Sequence, residues 1–543
     1  MPPESAPAPL TAAEAAAAVS NSPLAPLKFA VFRMLWCVWL AANICMWMND
    51  VAAAWLMTTL TTSPLWVALV QTASTLPVFL LGLPSGALAD ILDRRRYFIV
   101  TQFWVAAVAL LLCAAIVLDA MTPPLLLALT FANGVGLAMR WPVFAAIVPD
   151  LVPRSQLPAA LALNGVTMNA SRIVGPLAAG ALIASAGSAY VFVLNAVLSV
   201  ISAFVLIRWR HEHVPSPLGR ERLFSAMRVG VQFVRQSSRL KAVFLRIALF
   251  FFHSTALLAL LPLIARNLHG GDAATFTLLL ASMGAGAITA AMFLPRLRQK
   301  MTRDTLVLRG MNLQSVAIAV MAFAPNVYVA VPAMLVAGMA WITTANSLSV
   351  SAQLALPNWV RARGMSMYQM AIMGASAFGA ALWGHVASIG TVQISLCIAA
   401  ATGSLGMFLA QRLAADLSIE EDLTPSHEFK VPTAETPPQH GHVVATIEYR
   451  IDPARAAEFQ AVMQESRRSR LRQGALNWEL RRDIADPACY VEQITDESWT
   501  EHLRRFDRVT AADVALRERK LGFHLGDSPP LVTRWAVDPA PKP

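Results

Sequence analysis

The sequence GALADILDRRR, from Gly86 to Arg96, decides the fold of this chain. It lies between two long apolar segments and contains two aspartates and three arginines within eleven residues. A charged turn between two membrane spans must lie at a water interface, and an excess of arginine marks the cytoplasmic side. The stretch therefore predicts two membrane-spanning helices joined by a short cytoplasmic turn.

The composition extends this prediction to most of the chain. Of the 543 residues, 56% are hydrophobic and only 14% are charged, and the mean hydropathy is +0.53. A soluble protein of this length would be far more polar. The apolar blocks are each ~20 residues or longer, enough to cross a hydrocarbon core of ~30 Å as helices. We predict twelve spans, which begin near Phe32, Leu65, Phe98, Pro124, Leu157, Tyr190, Val243, Ala274, Thr305, Val327, Met365 and Val392.

Positive charge falls on alternate connections between the spans. The even-numbered turns hold nearly all the arginine, and the odd-numbered turns are short and nearly uncharged except for Arg266. This bias predicts a multi-pass membrane protein with both termini in the cytoplasm. The formal net charge of +10 then reflects topology and contact with anionic lipid, so we expect no nucleic acid partner.

The GALADILDRRR stretch resembles the signature turn between the second and third helices of the major facilitator superfamily, G-x-L-A-D-R-x-G-R-R. Ile91 and Asp93 depart from that pattern. The resemblance implies twelve transmembrane helices in two six-helix repeats. It also implies that Asp90 latches the outward-open state with Arg94 or Arg95 as partner; the alternative is that the turn only fixes topology. The matching residues are Gly86, Leu88, Ala89, Asp90, Arg94 and Arg95.

Three further stretches resemble bacterial exporters related to the enterobactin exporter, a branch also called transmembrane secretion effectors. They are AAWLMTTLTTSPLWVALVQ at 53–71, VPDLVPRSQLPAALALNGVTMNASRIVGP at 148–176 and LPNWVRARGMSMYQ at 356–369. The resemblance implies export of a small molecule, such as a siderophore or a drug, across the bacterial inner membrane in exchange for protons. No G-x-x-x-x-G-K-[ST] sequence occurs, which argues against ATP as the energy source, and we expect no cofactor.

The fifth span contains SRIVGPLAAG, which resembles the G-x-x-x-G-P-x-x-G-G signature of the antiporter branch. Small residues on one helical face allow a neighbouring backbone to approach closely, and the proline removes one donor. Two interpretations stay open: ordinary helix packing, or a hinge and seal against proton leak. The motif residues are Ser171, Gly175, Pro176 and Gly180.

Proton coupling needs a group at membrane depth that can gain and lose a proton. Asp50 is the main candidate, because a charge at the helix centre costs ~2.5–3.5 kcal/mol and a retained carboxylate usually has a partner or a task. The alternative is that Asp50 reaches periplasmic water. His253 and His385 titrate near neutrality and are the other candidates, although a lone histidine in a span is more often a packing residue.

Arg140 and Arg172 also fall inside apolar sequence and stay charged. Either one of them pairs with Asp50, or both face the central cavity and attract an anionic group of the substrate, such as a carboxylate or catecholate. Polar residues in the spans are either cavity contacts or interhelical hydrogen bonds. Those placed at the substrate cavity are Asn164, Asn169, Asn346 and Gln369.

After Ala414 the sequence becomes polar. Alternating and helical patterns follow one another in a βαββαβ order, which predicts a small ferredoxin-like α+β domain. The domain resembles the antibiotic-biosynthesis-monooxygenase-like, dimeric α+β barrel domains. This implies a homodimer or ligand sensing, with Trp499 and His502 at a small cavity. Cofactor-free oxygenation is an alternative, although the domain shows no metal-ligand cluster or nucleophile arrangement.

The predicted organisation has six parts. Two rival functions accompany the exporter: a membrane ligand sensor that signals through the C-terminal domain, and a transporter fused to an enzyme. The parts are a disordered cytoplasmic tail at 1–27, a six-helix half at 28–210, a cytoplasmic connecting segment at 211–240, a second six-helix half at 241–414, a Pro-rich linker at 415–440 and the cytoplasmic α+β domain at 441–543.

Overall fold

The computed structural model describes residues 24–91, 93–153, 156–208, 223–268, 271–357, 359–414, 421–426, 428–434, 438, 441–526 and 528–537. Thirteen α-helices precede residue 415 within these ranges. They are α1 Ala30–Leu60, α2 Pro64–Ile91, α3 Arg94–Val117, α4 Pro123–Leu151, α5 Leu157–Ala186, α6 Ser188–Arg208, α7 Leu223–Gln236, α8 Ser238–Asn267, α9 Ala273–Lys300, α10 Arg303–Ala322, α11 Val327–Leu354, α12 Arg361–Ile389 and α13 Val392–Leu413.

Twelve of these helices are long enough to cross a membrane, and α7 is shorter. Over the described residues, eleven helices are also apolar enough to span. The remaining long helix, α4, has 29 residues and begins with the apolar run PPLLLALTFANGVGLAM. The predicted all-α membrane fold is therefore confirmed.

The helix starts lie close to the predicted ones, and the differences have a local cause. The largest is at α8, which we predicted near Val243 and which begins at Ser238. Its first residues are polar, so hydropathy alone does not detect them, and the Ser237 hydroxyl accepts a hydrogen bond from the backbone of Leu240 at 3.3 Å. Helices extend past the hydrocarbon where such a cap satisfies their first N–H groups.

The described residues fall into two compact units. The first is drawn from Met1–Pro215, Arg246–Ser347 and Gln369–Leu409, and the second from Ser216–Leu245, Leu348–Tyr368 and Ala410–Pro543. In the first unit α2 packs along α4, α3 along α6, and α1 along α5. One turn of 3-10 helix, Ala25–Lys28, precedes α1, with Ala25 fully buried.

Helices of the two six-helix halves contact each other within the first unit. α5 packs against α9. The turns at 61–63, 187, 271–272 and 390–391 lie at one end of these helices, which we call the distal end. There the Trp55 and Phe276 rings stack at 6.0 Å. Nearer the middle of α2 and α12, the Thr72 hydroxyl donates to the Ala377 carbonyl at 2.9 Å, and the Phe79 ring meets the edge of Phe378 at 5.8 Å.

The second unit contains the C-terminal domain, whose elements are β1 His442–Arg450, α14 Ala456–Arg472, β2 Asn477–Arg482, β3 Cys489–Asp496, α15 Trp499–Asp507, α16 Ala511–Leu521 and β4 Leu531–Val537. The sheet order is β2-β3-β1-β4, and all neighbouring strands are antiparallel. This order with its two crossover connections is the ferredoxin-like arrangement that the sequence predicted. Phe459 and Met463 of α14 pack on Tyr449, Trp478 and Tyr490 of the sheet in its core.

The second crossover differs from the prediction in one respect. We expected one helix over SWTEHLRRFDRVTAADVALRERK, and the structure divides it into α15 and α16. The first piece ends at Asp507, and the second begins at Thr510, which forms a capping box with Asp513 in the first turn of α16. The backbone of Ala511 also donates to the Thr424 carbonyl at 2.9 Å, so part of the segment predicted as a linker is bound to the domain.

A buried polar cluster joins the helices of the domain to its sheet. Glu492 of β3 is fully buried, and it accepts hydrogen bonds from Lys520 at 3.2 Å, Trp478 at 2.9 Å, Ser466 at 2.9 Å and Tyr449 at 3.2 Å. Burial by itself favours the neutral acid, but the Lys520 and Arg470 cations outweigh it and hold the pKa of Glu492 far below its ordinary value. The carboxylate is therefore ionised and fully satisfied.

Candidate substrate and coupling site

One face of α1 carries a stripe of aromatic and polar residues in the first unit. Trp39, Asn43, Trp47 and Asp50 follow one another at spacings of four, four and three residues. Side chains at these spacings lie above one another on one face of a helix. Trp39 and Asn43 are buried, and the Asn43 amide donates to the Trp39 carbonyl at 2.7 Å. This face of an apolar, membrane-spanning helix is therefore built for polar contacts.

Arg172 of α5 lies between two tryptophan rings. Its guanidinium carbon is 5.4 Å from the Trp47 ring centroid and 5.8 Å from that of Trp341 on α11. Trp341 is itself held by Phe251 at 4.8 Å. Cation–π contacts are worth about 2 kcal/mol or more when desolvated. Because Trp47 and Trp341 belong to different six-helix halves, Arg172 is a contact between them.

Arg140 of α4 has a similar arrangement towards the other end of the stripe. Its guanidinium lies 5.4 Å from the Trp39 ring centroid, and the residue is 4% exposed. Trp39 is held in place because its indole N–H donates to the Asn164 amide oxygen at 2.8 Å. Arg140 and Arg172 therefore place two permanent positive charges along the α1 stripe.

Asp50 lies three residues beyond Trp47 on the same face and is half-buried. Among the described residues it makes no ion pair with either arginine and accepts no hydrogen bond from a protein group. The structure thus shows neither of the two ion pairs that the sequence left open. A carboxyl group in such a position has no fixed partner to hold it in its charged form.

The other predicted cavity residues are dispersed. Asn346 accepts a hydrogen bond from Arg298 of α9 at 2.9 Å, and Gln369 is half-buried on α12. The side chain of Asn169 lies outside the described residues. His253 bonds through Nδ1 to the Leu249 carbonyl at 2.7 Å, as a packing histidine does, and His385 is exposed.

The residues of the antiporter-like motif make two different close approaches. A β-carbon at Gly175 would lie 2.5 Å from that of Trp47, and one at Gly180 would overlap the side chain of Thr277 on α9. Ser171 and Pro176 are buried within α5, which runs unbroken through the proline. Gly175 therefore admits α1 and its tryptophan, whereas Gly180 admits the other half.

The structure describes some of the side chains in the charged turn GALADILDRRR. The Asp93 carboxylate caps α3, accepting from the backbone of Arg95 at 2.9 Å and of Arg96 at 3.1 Å. The Arg95 guanidinium donates to the Leu206 carbonyl at 3.0 Å at the end of α6. The side chains of Asp90 and Arg94 lie outside the described residues.

In the C-terminal domain, His502 and Trp499 are packed together. The two rings stack at 5.4 Å, and His502 is 1% exposed. Its Nδ1 lies 2.6 Å from the Asp496 carboxylate, and its Nε2 accepts from Arg534 at 3.2 Å. Burial lowers the pKa of His502 even though Asp496 raises it. Both ring nitrogens are occupied by protein groups, so His502 is a neutral core residue.

The sequence singled out both arginines and Asp50, but it did not show that Trp39 and Asn43 belong to the same stripe on α1. The available signal was their spacing with Trp47 and Asp50, which is helical and polar within an apolar span. The partners Arg140 and Arg172 lie on other helices. Their contacts depend on packing that the local sequence does not report.

Comparison with known proteins agrees with this architecture. A family profile described as transmembrane secretion effector matches residues 21–540. The staphyloferrin A transporter of Staphylococcus aureus is 21% identical over 252 residues, which are 46% of this chain and 63% of that protein. Macrolide efflux protein A of Streptococcus pyogenes is 22% identical over 285 residues, which are 51% of this chain and 69% of that protein.

A solved structure shows the same fold. A bacterial homologue of the human lysosomal transporter Spinster, in an inward-facing and occupied conformation, superposes with a TM-score of 0.56 at 14% identity, covering 71% of this chain and 97% of that one. The staphyloferrin A match spans less than two thirds of that relative, so the family is established by the match of its profile to nearly the whole chain. The chain belongs to the transmembrane secretion effector family of major facilitator membrane transporters.

Proposed function

We propose that this protein exports a small molecule across the bacterial inner membrane in exchange for protons, with both termini in the cytoplasm. Asp50, without a protein partner and one helical turn from the Arg172 cluster, is the observation that carries the proposal. A carboxyl group that no cation holds ionised can take up a proton and release it as the surrounding water changes. The relatives named above are a staphyloferrin A transporter and a macrolide efflux protein, and these names are consistent with siderophore or drug export.

The two arginines favour a cargo with a negative group. Neither guanidinium is neutralised by a carboxylate among the described residues, and the Nε atoms of both are buried without a hydrogen-bond partner. A buried unsatisfied donor is costly, and a carboxylate or catecholate oxygen would satisfy it. The flanking indoles supply apolar surface for the rest of the cargo.

Coupling follows if the proton and the cargo use the same region in turn. In an exchanger Asp50 takes up a proton on the outer side as the cargo leaves. It then carries that proton inward and loses it to the cytoplasm, which readies the site for the next cargo molecule. A membrane potential contributes ~2.3 kcal/mol per charge per 100 mV, enough to drive export against a gradient.

The test is transport by the purified protein in proteoliposomes under an imposed proton gradient, with a catecholate siderophore and a fluorescent drug as cargoes. Asp50→Asn should abolish gradient-driven flux and leave cargo binding in place. Asp119→Asn is the matched control, because Asp119 is exposed in the turn after α3 and its φ of 51° suits asparagine equally well. Flux that is equal in wild type and Asp50→Asn would refute the coupling role, and binding without flux in wild type would favour a sensor.

Pairing of two C-terminal domains stays a prediction. Strand β4 is an edge of the sheet, and Leu531 and Trp535, which lie on its same face, are 64% and 61% exposed. An edge strand of this kind is open to a second chain. Trp535→Arg, compared with wild type by mass photometry in detergent, tests whether a dimer forms there.

A further inference from the structure

Helix α7 is enclosed by protein on its apolar face. The sequence RERLFSAMRVGVQFVRQSSRL alternates apolar and basic residues at roughly helical spacing, which predicts a helix lying along the inner membrane surface. In the structure Val229 and Phe233 are only 1% and 4% exposed. An amphipathic pattern fits a membrane surface and a protein partner equally well, and the described contacts within the second unit supply the protein partner.

The C-terminal domain forms one side of this enclosure. The Arg228 guanidinium binds the Glu497 carboxylate at 2.8 Å, and the Gln232 amide donates to the Ala475 carbonyl at 2.8 Å. The turn after α14 approaches closely because Gly474 has a φ of 111°, and a β-carbon there would lie 3.1 Å from the Val229 side chain. The domain therefore holds α7 by charge, hydrogen bond and apolar contact.

The turn between α11 and α12, residues 355–360, forms the other side. The Phe233 ring meets the edge of Trp359 at 5.6 Å, within a core that includes Leu356 and Val360. The domain contacts the same tryptophan, since the Arg508 guanidinium lies 5.0 Å from its ring centroid. Arg508 is fixed by a hydrogen bond to the Gln473 carbonyl at 2.7 Å.

We propose that the C-terminal domain is a conformational regulator that clasps α7 to the 355–360 turn and so stabilises the conformer in which the two halves meet at the distal end. Helix α7 belongs to the connection from the first six-helix half to the second, whereas the 355–360 turn belongs to the second half. Alternating access in transporters of this kind moves one repeat against the other. Contacts that form in just one of the two conformers shift the equilibrium towards that conformer.

The side chains at this surface favour docking of the domain over binding of a ligand. Its crevice beside Trp359 is lined by residues that already bind other protein groups: Arg472 binds Glu421 at 2.7 Å, and Ser469 bonds to Asp513 at 2.5 Å. These contacts leave the charged groups of the crevice committed to the protein. The surface therefore serves attachment of the domain to α7 and to the 355–360 turn of its own chain.

The experiment measures docking and conformation separately in the full-length protein. Hydrogen exchange of α7 peptides reports docking. Double electron–electron resonance between nitroxides at Thr62 and Gly390, placed in distal turns of opposite halves on a background with the five cysteines replaced by alanine, reports the conformer. Loss of a hydrogen bond to a charged group should shift an equilibrium about tenfold. We therefore expect Arg228→Glu to raise both the exchange of α7 and the ratio of long to short distances about tenfold.

The pair Arg228→Glu with Glu497→Arg should restore both readouts, and Arg235→Glu, an exposed arginine on the same helix, should change neither. Exchange that rises without a change in distances would show a docked domain with no regulatory effect and would overturn the proposal. Exchange that does not rise in Arg228→Glu combined with Gln232→Ala would show that these contacts do not hold the domain. Failure of the charge swap to restore docking would also overturn it.

Discussion

Glu492 is the position at which a single substitution should most affect the C-terminal domain. Replacing it with glutamine keeps the volume and one acceptor oxygen but removes the charge. Lys520 is 2% exposed, and it then lacks the carboxylate whose oxygen lies 3.2 Å from its Nζ atom. Removing one member of a buried ion pair costs ~3–5 kcal/mol. Because the amide oxygen still accepts some of the hydrogen bonds, we expect about 3 kcal/mol for Glu492→Gln.

This free energy corresponds to a measurable increase in the rate of hydrogen exchange. Every 1.4 kcal/mol changes an equilibrium tenfold, so about 3 kcal/mol increases opening of the domain about 100-fold. Hydrogen-exchange mass spectrometry of the full-length protein should show that increase in peptides from β1 and β3, which carry the cluster at the centre of the sheet. Glu465→Gln is the matched control, because its ion pair with Arg519 at 2.8 Å is about half exposed and should change exchange by no more than about twofold.

The pH dependence has a definite sign. The pKa of Glu492 is lower in the folded protein than its ordinary value of about 4.3 in an unfolded chain. The folded state therefore binds fewer protons, and the stability that Glu492 contributes is fully present above about pH 4.3. It is lost as the pH falls through the lower folded pKa. The difference in protection between wild type and Glu492→Gln should narrow as the pH falls below about 4.3.

A double variant separates the ion pair from packing. Glu492→Gln with Lys520→Met leaves no buried ammonium without its carboxylate, so it should be more stable than Glu492→Gln alone. An increase in exchange below about fivefold for Glu492→Gln would refute the reasoning. So would a double variant whose cost is the sum of the two single costs.

Three further predictions concern the membrane region. Gly180→Val places methyl groups on the side chain of Thr277, so it should separate the halves at the distal end and lengthen the distances measured there by electron–electron resonance. Arg246→Met removes the partner of Asp304 at 2.8 Å, in a pair that is 1% and 12% exposed; it should cost ~3–5 kcal/mol by thermal unfolding, and Asp304→Leu in the same chain should recover part of this. Arg172→Gln should weaken binding of an anionic cargo about tenfold and leave a neutral analogue unchanged in equilibrium binding assays.

The fold was largely predictable because the bilayer sets the length of an apolar block. GALADILDRRR places a turn between two spans, and α2 ends at Ile91 and α3 begins at Arg94 accordingly. The strand order of the C-terminal domain followed from alternation in the same way. The break at Thr510 was missed because a capping box within a helical pattern reads as ordinary polar residues.

The candidate site was predictable only in its composition. Arg140 and Arg172 stand out as charges in apolar sequence, but their tryptophan partners lie on other helices and no local pattern pairs them. The environment of α7 was ambiguous for a different reason. Its apolar face can pack equally well on a membrane surface or on a protein surface. Which of the two covers it depends on the turn that contains Trp359, far along the chain.

The way the arginines are stabilised bears on transport. A charge in a span is costly unless something stabilises it, and an ion pair with Asp50 would do so at the expense of the positive charge. Indole faces stabilise a guanidinium through its flat surface and leave the N–H groups at its edge free to donate. Arg172 between Trp47 and Trp341 therefore keeps its charge and its donors, as the anionic cargo that we propose requires. Because the two indoles come from different halves, movement of the halves changes how well that charge is stabilised. Cargo affinity and conformation are then linked at a single side chain, as alternating access requires.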